Sequence, residues 1–312
     1  MKSLCIAIVQ HKSVHLNLAE SLKKALTLIK EAVSNGATLI VFGESWLSGY
    51  PAWIDYCPEI ALWNNETTKE VFAQMHRNSV DVNGDEIKTL CALAKELKII
   101  LCIGFNEKVT TGIGSGTIYN SFVLINEEGE IKNHHRKLNP TFNEKLLYGN
   151  GDAAGLKTIE TNWGNIGGLI CWEHWMPLSR QTLHNENETI HIALWPTVHE
   201  MHQVASRHYA FEGRCFVIAA GQMMQVKDIP STLTLPENLK SNPEKYILNG
   251  GSCVIDPKGN YLLPPQFDKE EILYRAIDDF DTAIKEKLTL DVSGHYNRWD
   301  IFDFTVDRKR KN

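Results

Sequence analysis

No segment of this sequence is apolar for long enough to cross a membrane, and the start predicts no secretory leader. After Met1-Lys2-Ser3 the apolar run is only six residues, Leu4 to Val9, with no small-residue cleavage site behind it. Basic charge is also short. The 32 Lys and Arg against 38 Asp and Glu leave a formal net charge of -6, which excludes the positive field that nucleic acid or an anionic lipid surface would require. Paired cysteines are missing too: the seven, at positions 5, 57, 91, 102, 171, 215 and 253, are scattered and contain no C-x-x-C. A 312-residue chain that is 43% apolar fills a core without disulfide staples, so most of these thiols read as small core hydrophobes in a reducing cytoplasm. Small-molecule chemistry is the class that survives these exclusions.

Strand and helix signals alternate along the chain, which predicts one large layered α/β domain over residues 1–290 and a tail over 291–312. Leu4 to Val9 reads as a buried strand. Asn17 then offers an N-cap with Glu20 three positions on, ahead of Leu18, Leu22, Leu26, Ile29 and Val33 at helical spacing. A second apolar run, Leu39 to Phe42, stops at Gly43-Glu44-Ser45. Further on, a helix around Glu86 to Leu97 leads into a strand from Ile99 to Phe105, and Tyr119 to Ile125 pairs with Glu130 to His134 across Asn126-Glu127-Glu128-Gly129. Asn165 to Ile170 delivers Cys171 ahead of Pro177 and the helical stretch Leu178 to His184, the outline of a strand, sharp turn and helix. Strand 190–194, helix 201–214 and strand 216–220 continue the alternation. The tail carries aromatic anchors (Tyr296, Trp299, Phe302, Phe304) and a basic end, Arg308-Lys309-Arg310-Lys311, suited to docking on its own domain or on a neighbouring subunit.

Three residues stand where chemistry is expected. Cys171 follows Gly167-Gly168-Leu169-Ile170, and the polar, aromatic string Trp172-Glu173-His174-Trp175-Met176-Pro177 is a poor continuation of a buried strand, so a turn there exposes the sulfur. Glu44 lies at the carboxyl end of a strand, where open α/β sheets place their sites. Lys137, in His134-His135-Arg136-Lys137, precedes the stiff loop Leu138-Asn139-Pro140-Thr141. Each alone has an ordinary reading: an inert core thiol, a solvated strand-end carboxylate and a solvated basic cluster. Together they supply what a thiol nucleophile needs. Glu44 can take the thiol proton, while Lys137 and the N–H of Trp172 can stabilise the charge that develops as a nitrile or amide carbon is attacked.

In that chain order, the segments Leu39-Ile40-Val41-Phe42-Gly43-Glu44, His135-Arg136-Lys137-Leu138 and Gly168-Leu169-Ile170-Cys171-Trp172-Glu173 resemble the nitrilase superfamily of carbon–nitrogen hydrolases. The resemblance covers the chain from the first strand to Asp256-Pro257-Lys258-Gly259. It implies a four-layer αββα sandwich, a homodimer or larger homo-oligomer, and no cofactor. The nitrilase branch is the best fit, through Leu47-Ser48-Gly49-Tyr50-Pro51, Lys137-Leu138-Asn139-Pro140-Thr141, Tyr148-Gly149-Asn150-Gly151-Asp152 and the segment following Cys171. Lys145 and Tyr148 depart from the arginine and tryptophan common there. By carry-over, Glu144 matches a second site-lining glutamate that orients Lys137 or the attacking water, and Glu173 holds the turn by hydrogen bonds. Tyr50 and Trp172, together with Trp53 and Tyr56 after one strand and Trp195-Pro196-Thr197 after another, can wall the substrate pocket; ordinary packing is their alternative.

The implied reaction is hydrolysis of an organic nitrile to a carboxylic acid and ammonia. An amidase or carbamoylase would use the same trio. A silent small-molecule-binding protein, or a cysteine–histidine hydrolase using His174 or His199, would not need it. His199-Glu200-Met201-His202 is one residue short of the zinc-binding H-E-x-x-H, so no metal is expected. Gly112-Ile113-Gly114-Ser115-Gly116-Thr117 carries no dinucleotide fingerprint and reads as a connection. Asn65-Glu66-Thr67 and Asn187-Glu188-Thr189 are glycosylation sequons that a cytoplasmic chain leaves unused.

Overall fold

The computed structural model describes residues 3–311. Its first half builds one sheet. Strands β1 (Leu4–Gln10), β2 (Leu39–Phe42) and β3 (Ile100–Lys108) are parallel neighbours, because helices carry the chain back between them: α1 (Leu18–Ser34), then α2 (Glu66–Arg77) and α3 (Asp85–Leu97). The Asn17 side chain accepts from the Glu20 N–H at 3.2 Å and starts α1 as its sequence predicts. Strands β4 (Ile118–Ile125) and β5 (Ile131–Arg136) extend the sheet as an antiparallel hairpin.

The second half builds a companion sheet. It holds β6 (Ile159–Thr161), β7 (Gly164–Ile170), β8 (Glu188–Leu194), β9 (Phe216–Ala220), β10 (Met223–Gln225), β11 (Tyr246–Ile255) and β12 (Tyr261–Phe267), with β7, β8 and β9 parallel. Helices α4 (Pro177–His184) and α5 (Glu200–Gly213) provide those crossovers, and the four-residue α6 (Glu237–Lys240) sits in the polar excursion that follows. Strand β13 (Glu271–Ile277) then returns to the first sheet, antiparallel to β1, and α7 (Asp281–Glu286) follows it.

Strand alternation explains why the two sheets stack. Leu4, Ile6 and Ile8 of β1 and Leu39 and Val41 of β2 point into a core shared with Ile166, Leu169 and Ile192 of the second sheet. The intervening Ala7, Val9, Ile40 and Phe42 pack under Ala25, Ile29, Ile87 and Leu90 of α1 and α3. With both faces covered, these strands read as unbroken apolar runs. Tyr209 and Ala210 of α5 cover the outer face of the second sheet, so the order of layers is α, β, β, α, as the family resemblance implied.

Five elements lacked a legible signal, among them the short helices α6 and α7. Helix α2 buries only Val71 and Met75, and β10 and β13 gain strand identity from their neighbours β11 and β1. Strand β12 contains Pro264 and Pro265, which an edge position tolerates because it pairs with β11 alone. The basic end of the tail docks on its own domain. Arg310 donates to Asp152 Oδ1 at 3.1 Å and to the His134 carbonyl at 2.6 Å, the Lys311 N–H donates to Asp152 Oδ2 at 2.8 Å, and Arg308 pairs with Glu186.

Candidate active site

Glu44 is carried out of β2 by a turn that rests directly on β3. A Cβ at Gly104 would lie 2.4 Å from the Gly43 oxygen and 2.6 Å from the Ser45 nitrogen, so only glycine permits that approach. Ser45 adopts φ +52° and its hydroxyl donates to Asn120 Oδ1 at 3.1 Å. The Asn120 amide in turn donates to Glu44 Oε1 at 2.6 Å. The carboxylate is fully buried, and Glu44 Oε2 has no hydrogen-bond partner among the described residues.

Lys137 stands one residue past β5, where the ladder continues by one rung. Its N–H donates to the Asn120 carbonyl at 2.8 Å, and its own carbonyl accepts from the Gly151 N–H at 2.8 Å. The ammonium is buried and donates to Glu44 Oε1 at 3.0 Å and to Glu144 Oε1 and Oε2 at 2.9 and 2.7 Å. Glu144 sits on a short turn, Phe142–Leu146, and its carboxylate also accepts from the Thr141 N–H at 2.8 Å and the Tyr50 hydroxyl at 2.7 Å.

Cys171 follows β7 immediately and takes φ +52°, a left-handed conformation that costs a non-glycine residue about 1 kcal/mol or more. The surroundings must hold it there. Glu173 does much of this: its carboxylate accepts from the Ile170 N–H at 2.7 Å, the Leu138 N–H at 2.7 Å and His135 Nε2 at 2.9 Å. Ile170 ends β7 of the second sheet just before Cys171, and His135 and Leu138 stand on either side of Lys137 at the end of β5 in the first, so this one carboxylate ties the two strand ends together. Burial alone would raise the Glu173 pKa, but His135 and the two backbone donors hold it below the usual carboxylate range.

Electrostatics couples the three expected residues across this seam. Burial pushes the Cys171 thiol well up, the Glu44 charge adds to that, and Lys137 and the Trp172 N–H act the other way. Burial also pushes Glu44 up, against the pull of Lys137. For Lys137, burial works against the charge, but Cys171, Glu144 and Glu44 outweigh it and hold the ammonium well above its usual range. A buried thiol, a buried carboxylate raised toward neutrality and a permanent cation therefore lie close enough to shift one another's ionisation.

The remaining expected residues lie at different distances from this chemistry. Tyr50 joins it through Glu144. The Trp172 N–H faces the sulfur while its indole is 53% exposed. Trp53 is wholly buried, its N–H on His15 Nε2 at 3.1 Å. Tyr56 is half-buried and lines a 260 Å³ cavity with Asp55, Asn143 and Leu146, beside the turn that carries Glu144. Trp195 is turned into the core, stacked between His174 and His202 with its N–H on Ser206 Oγ at 3.2 Å. Pro196 is buried, its carbonyl accepting from the Gln222 N–H at 3.0 Å, and the Thr197 hydroxyl lies 3.1 Å from both Asn249 Oδ1 and the Gly250 carbonyl. Asn120 went unread; its only signal was a polar residue inside the apolar run Ile118–Ile125.

Glu173→Gln removes one of the two carboxylate oxygens that serve three donors. The expected cost is about 1–3 kcal/mol of stability from the donor left unpaired, read from urea unfolding at constant slope; an unchanged midpoint would mean that the clamp is dispensable.

The chain matches the carbon–nitrogen hydrolase family model over residues 5–284. It is 34% identical over 307 residues to a protein named Nitrilase 2 from an unknown prokaryotic organism, covering 98% of this chain and 93% of that one. It is 33% identical over 308 residues to an aliphatic nitrilase of Sinorhizobium fredii, covering 98% and 96%. A carbon–nitrogen hydrolase crystal structure from Helicobacter pylori superposes with a TM-score of 0.68 at 20% identity, covering 96% of this chain and 97% of that one. With one model spanning nearly the whole sequence and relatives matched end to end, the chain belongs to the carbon–nitrogen hydrolase family and is a hydrolase of carbon–nitrogen bonds.

Proposed function

We propose that the protein is a nitrilase, converting an organic nitrile and two waters to a carboxylic acid and ammonia, with Cys171 as nucleophile, Glu44 as general base and Lys137 as the cation that stabilises developing charge. One observation carries the assignment of roles. Glu44 Oε1 is occupied by Lys137 and Asn120, which leaves Oε2 buried and, among the described residues, unpartnered for the proton of a thiol that burial keeps protonated. The names of the full-length relatives supply the preference for nitriles over amides.

In the first step the Cys171 proton passes to Glu44 while sulfur bonds to the nitrile carbon, and Glu44 hands that proton on to the nitrile nitrogen, giving a thioimidate and restoring the carboxylate. Lys137 and the Trp172 N–H stabilise negative charge on that nitrogen, an effect worth a few kcal/mol in a dry site. Water then adds to the thioimidate carbon, ammonia leaves, and an acyl thioester remains. A second water, deprotonated by Glu44, releases the acid and restores the thiol. Glu144 keeps Lys137 in place, and the ammonium stays charged throughout. Residues 1–290 form the catalytic domain of a cytoplasmic homodimer or larger homo-oligomer, and Tyr50, Tyr56, Trp172, Pro196 and Thr197 wall the substrate pocket, whereas Trp53 and Trp195, packed into the core, support it from behind.

Ammonia release from nitriles and amides of matched carbon skeleton tests this directly. The wild type is expected to favour the nitrile and Cys171→Ala to release none; faster turnover of the amide would make the protein an amidase, and activity in Cys171→Ala would remove the mechanism. The base also sets a pH dependence. Glu44 acts only when ionised and burial raises its pKa to about 7, so kcat/KM should fall as pH drops through about 7. A profile flat down to the ordinary carboxylate range would exclude Glu44 as the base.

A further inference from the structure

Behind Cys171 runs a hydrogen-bonded chain of side chains that the reaction does not use. His174 Nδ1 lies 2.6 Å from the Cys171 carbonyl oxygen, His174 Nε2 lies 2.9 Å from His191 Nε2, and His191 Nδ1 lies 2.8 Å from Glu188 Oε1. The Tyr209 hydroxyl donates to Glu188 Oε2 at 2.6 Å. All four side chains are essentially inaccessible, with His191 stacked on Tyr209 and His174 on Trp195. A Cβ at Gly167 would lie 2.2 Å from Glu188 Oε1, so glycine in β7 makes room for the carboxyl.

The direction of each bond follows from the groups at its ends. A carbonyl only accepts, so His174 Nδ1 carries a hydrogen. Neutral His174 then accepts at Nε2, His191 must donate from its Nε2, and neutral His191 accepts at Nδ1. Glu188 must therefore be the protonated donor. Burial agrees: it pushes Glu188 up to about 8 and both histidines well below their usual value. Removing the proton from Glu188 would invert every bond in turn, and the inversion ends with an imidazole lone pair facing the Cys171 carbonyl.

We propose that His174 is a positioning residue of the hydrolysis, holding the Cys171 peptide in its left-handed turn through a one-proton chain that begins at Glu188. The inference rests on Cys171 being the nucleophile. Other ionisable groups near Glu188 are His184 of α4, which pairs with Glu212, and Cys215 and Tyr209, whose protons burial keeps in place. Near His174 are Glu173, whose oxygens are taken by three donors, His202 on the Thr197 carbonyl, and Arg180, which donates to the His174 carbonyl at 3.0 Å. None of these supplies the missing proton.

Glu188→Gln tests the idea, because its amide N–H donates toward His191 at any pH. Wild type should lose kcat, and the rate of Cys171 alkylation by iodoacetamide should change, as pH rises through about 8. Glu188→Gln should retain kcat at pH 7 within a few-fold and lack both transitions, whereas Glu188→Leu should lower kcat about ten- to a hundredfold with KM little changed. An alkaline transition that persists in Glu188→Gln overturns the proposal, and this holds even if the leucine variant fails to fold. Turnover by Cys171→Ala would instead discredit the nucleophile assignment, so the two failures are distinguishable.

Discussion

The site depends on keeping one ammonium, that of Lys137, charged where water cannot reach it. Stripping water from such an ion costs several kcal/mol, and an isolated buried lysine would shed its proton instead. Two carboxylates prevent that: Glu44 and Glu144 contact Nζ within 3.0 Å, and a unit charge pair at that distance is worth about 5 kcal/mol at an effective dielectric near 20. The same geometry binds Glu44 through a single oxygen. Holding the cation and leaving one Glu44 oxygen unengaged are thus one arrangement, and the hydrogen bonds from Asn120, Thr141 and Tyr50 fix the two carboxylates around it.

Fixing that arrangement falls to the backbone. Gly104 lets the Glu44 turn lie on β3, Gly151 packs against the carbonyls of Arg136 and Lys137, and Gly167 admits Glu188 beneath the nucleophile's strand. Each glycine sits where a methyl group would push a functional segment away. The Arg310 and Lys311 contacts to Asp152 secure the loop next to Gly151 from outside, so the tail reaches the lysine's surroundings without touching the lysine.

Strand ends were the most legible part of the sequence, and they carry the residues proposed for the chemistry. Glu44, Lys137 and Cys171 stood out because each is a reactive side chain placed where an apolar run stops, and the three ordered motifs pointed to the four-layer fold. What was hidden depends on contacts between distant segments. Asn120 sits within a strand and looks like a tolerated polar residue until Glu44 and Ser45 are placed beside it. Trp195 was correctly located at a strand's end, but sequence position does not tell which way an indole turns, and here it turns inward between two imidazoles. The chain from Glu188 to His174 was invisible for the same reason, since nothing in the spacing of two histidines announces that their rings will meet.

Glu173 joins the two sheets at the point where the reactive sulfur emerges. Before the halves of the molecule dock, Cys171 lacks the neighbouring Glu44 carboxylate, the Lys137 ammonium and the contacts that bend its backbone. A partly folded molecule therefore carries a thiol with no neighbouring carboxylate or ammonium, and the triple juxtaposition comes into being only with the finished tertiary structure.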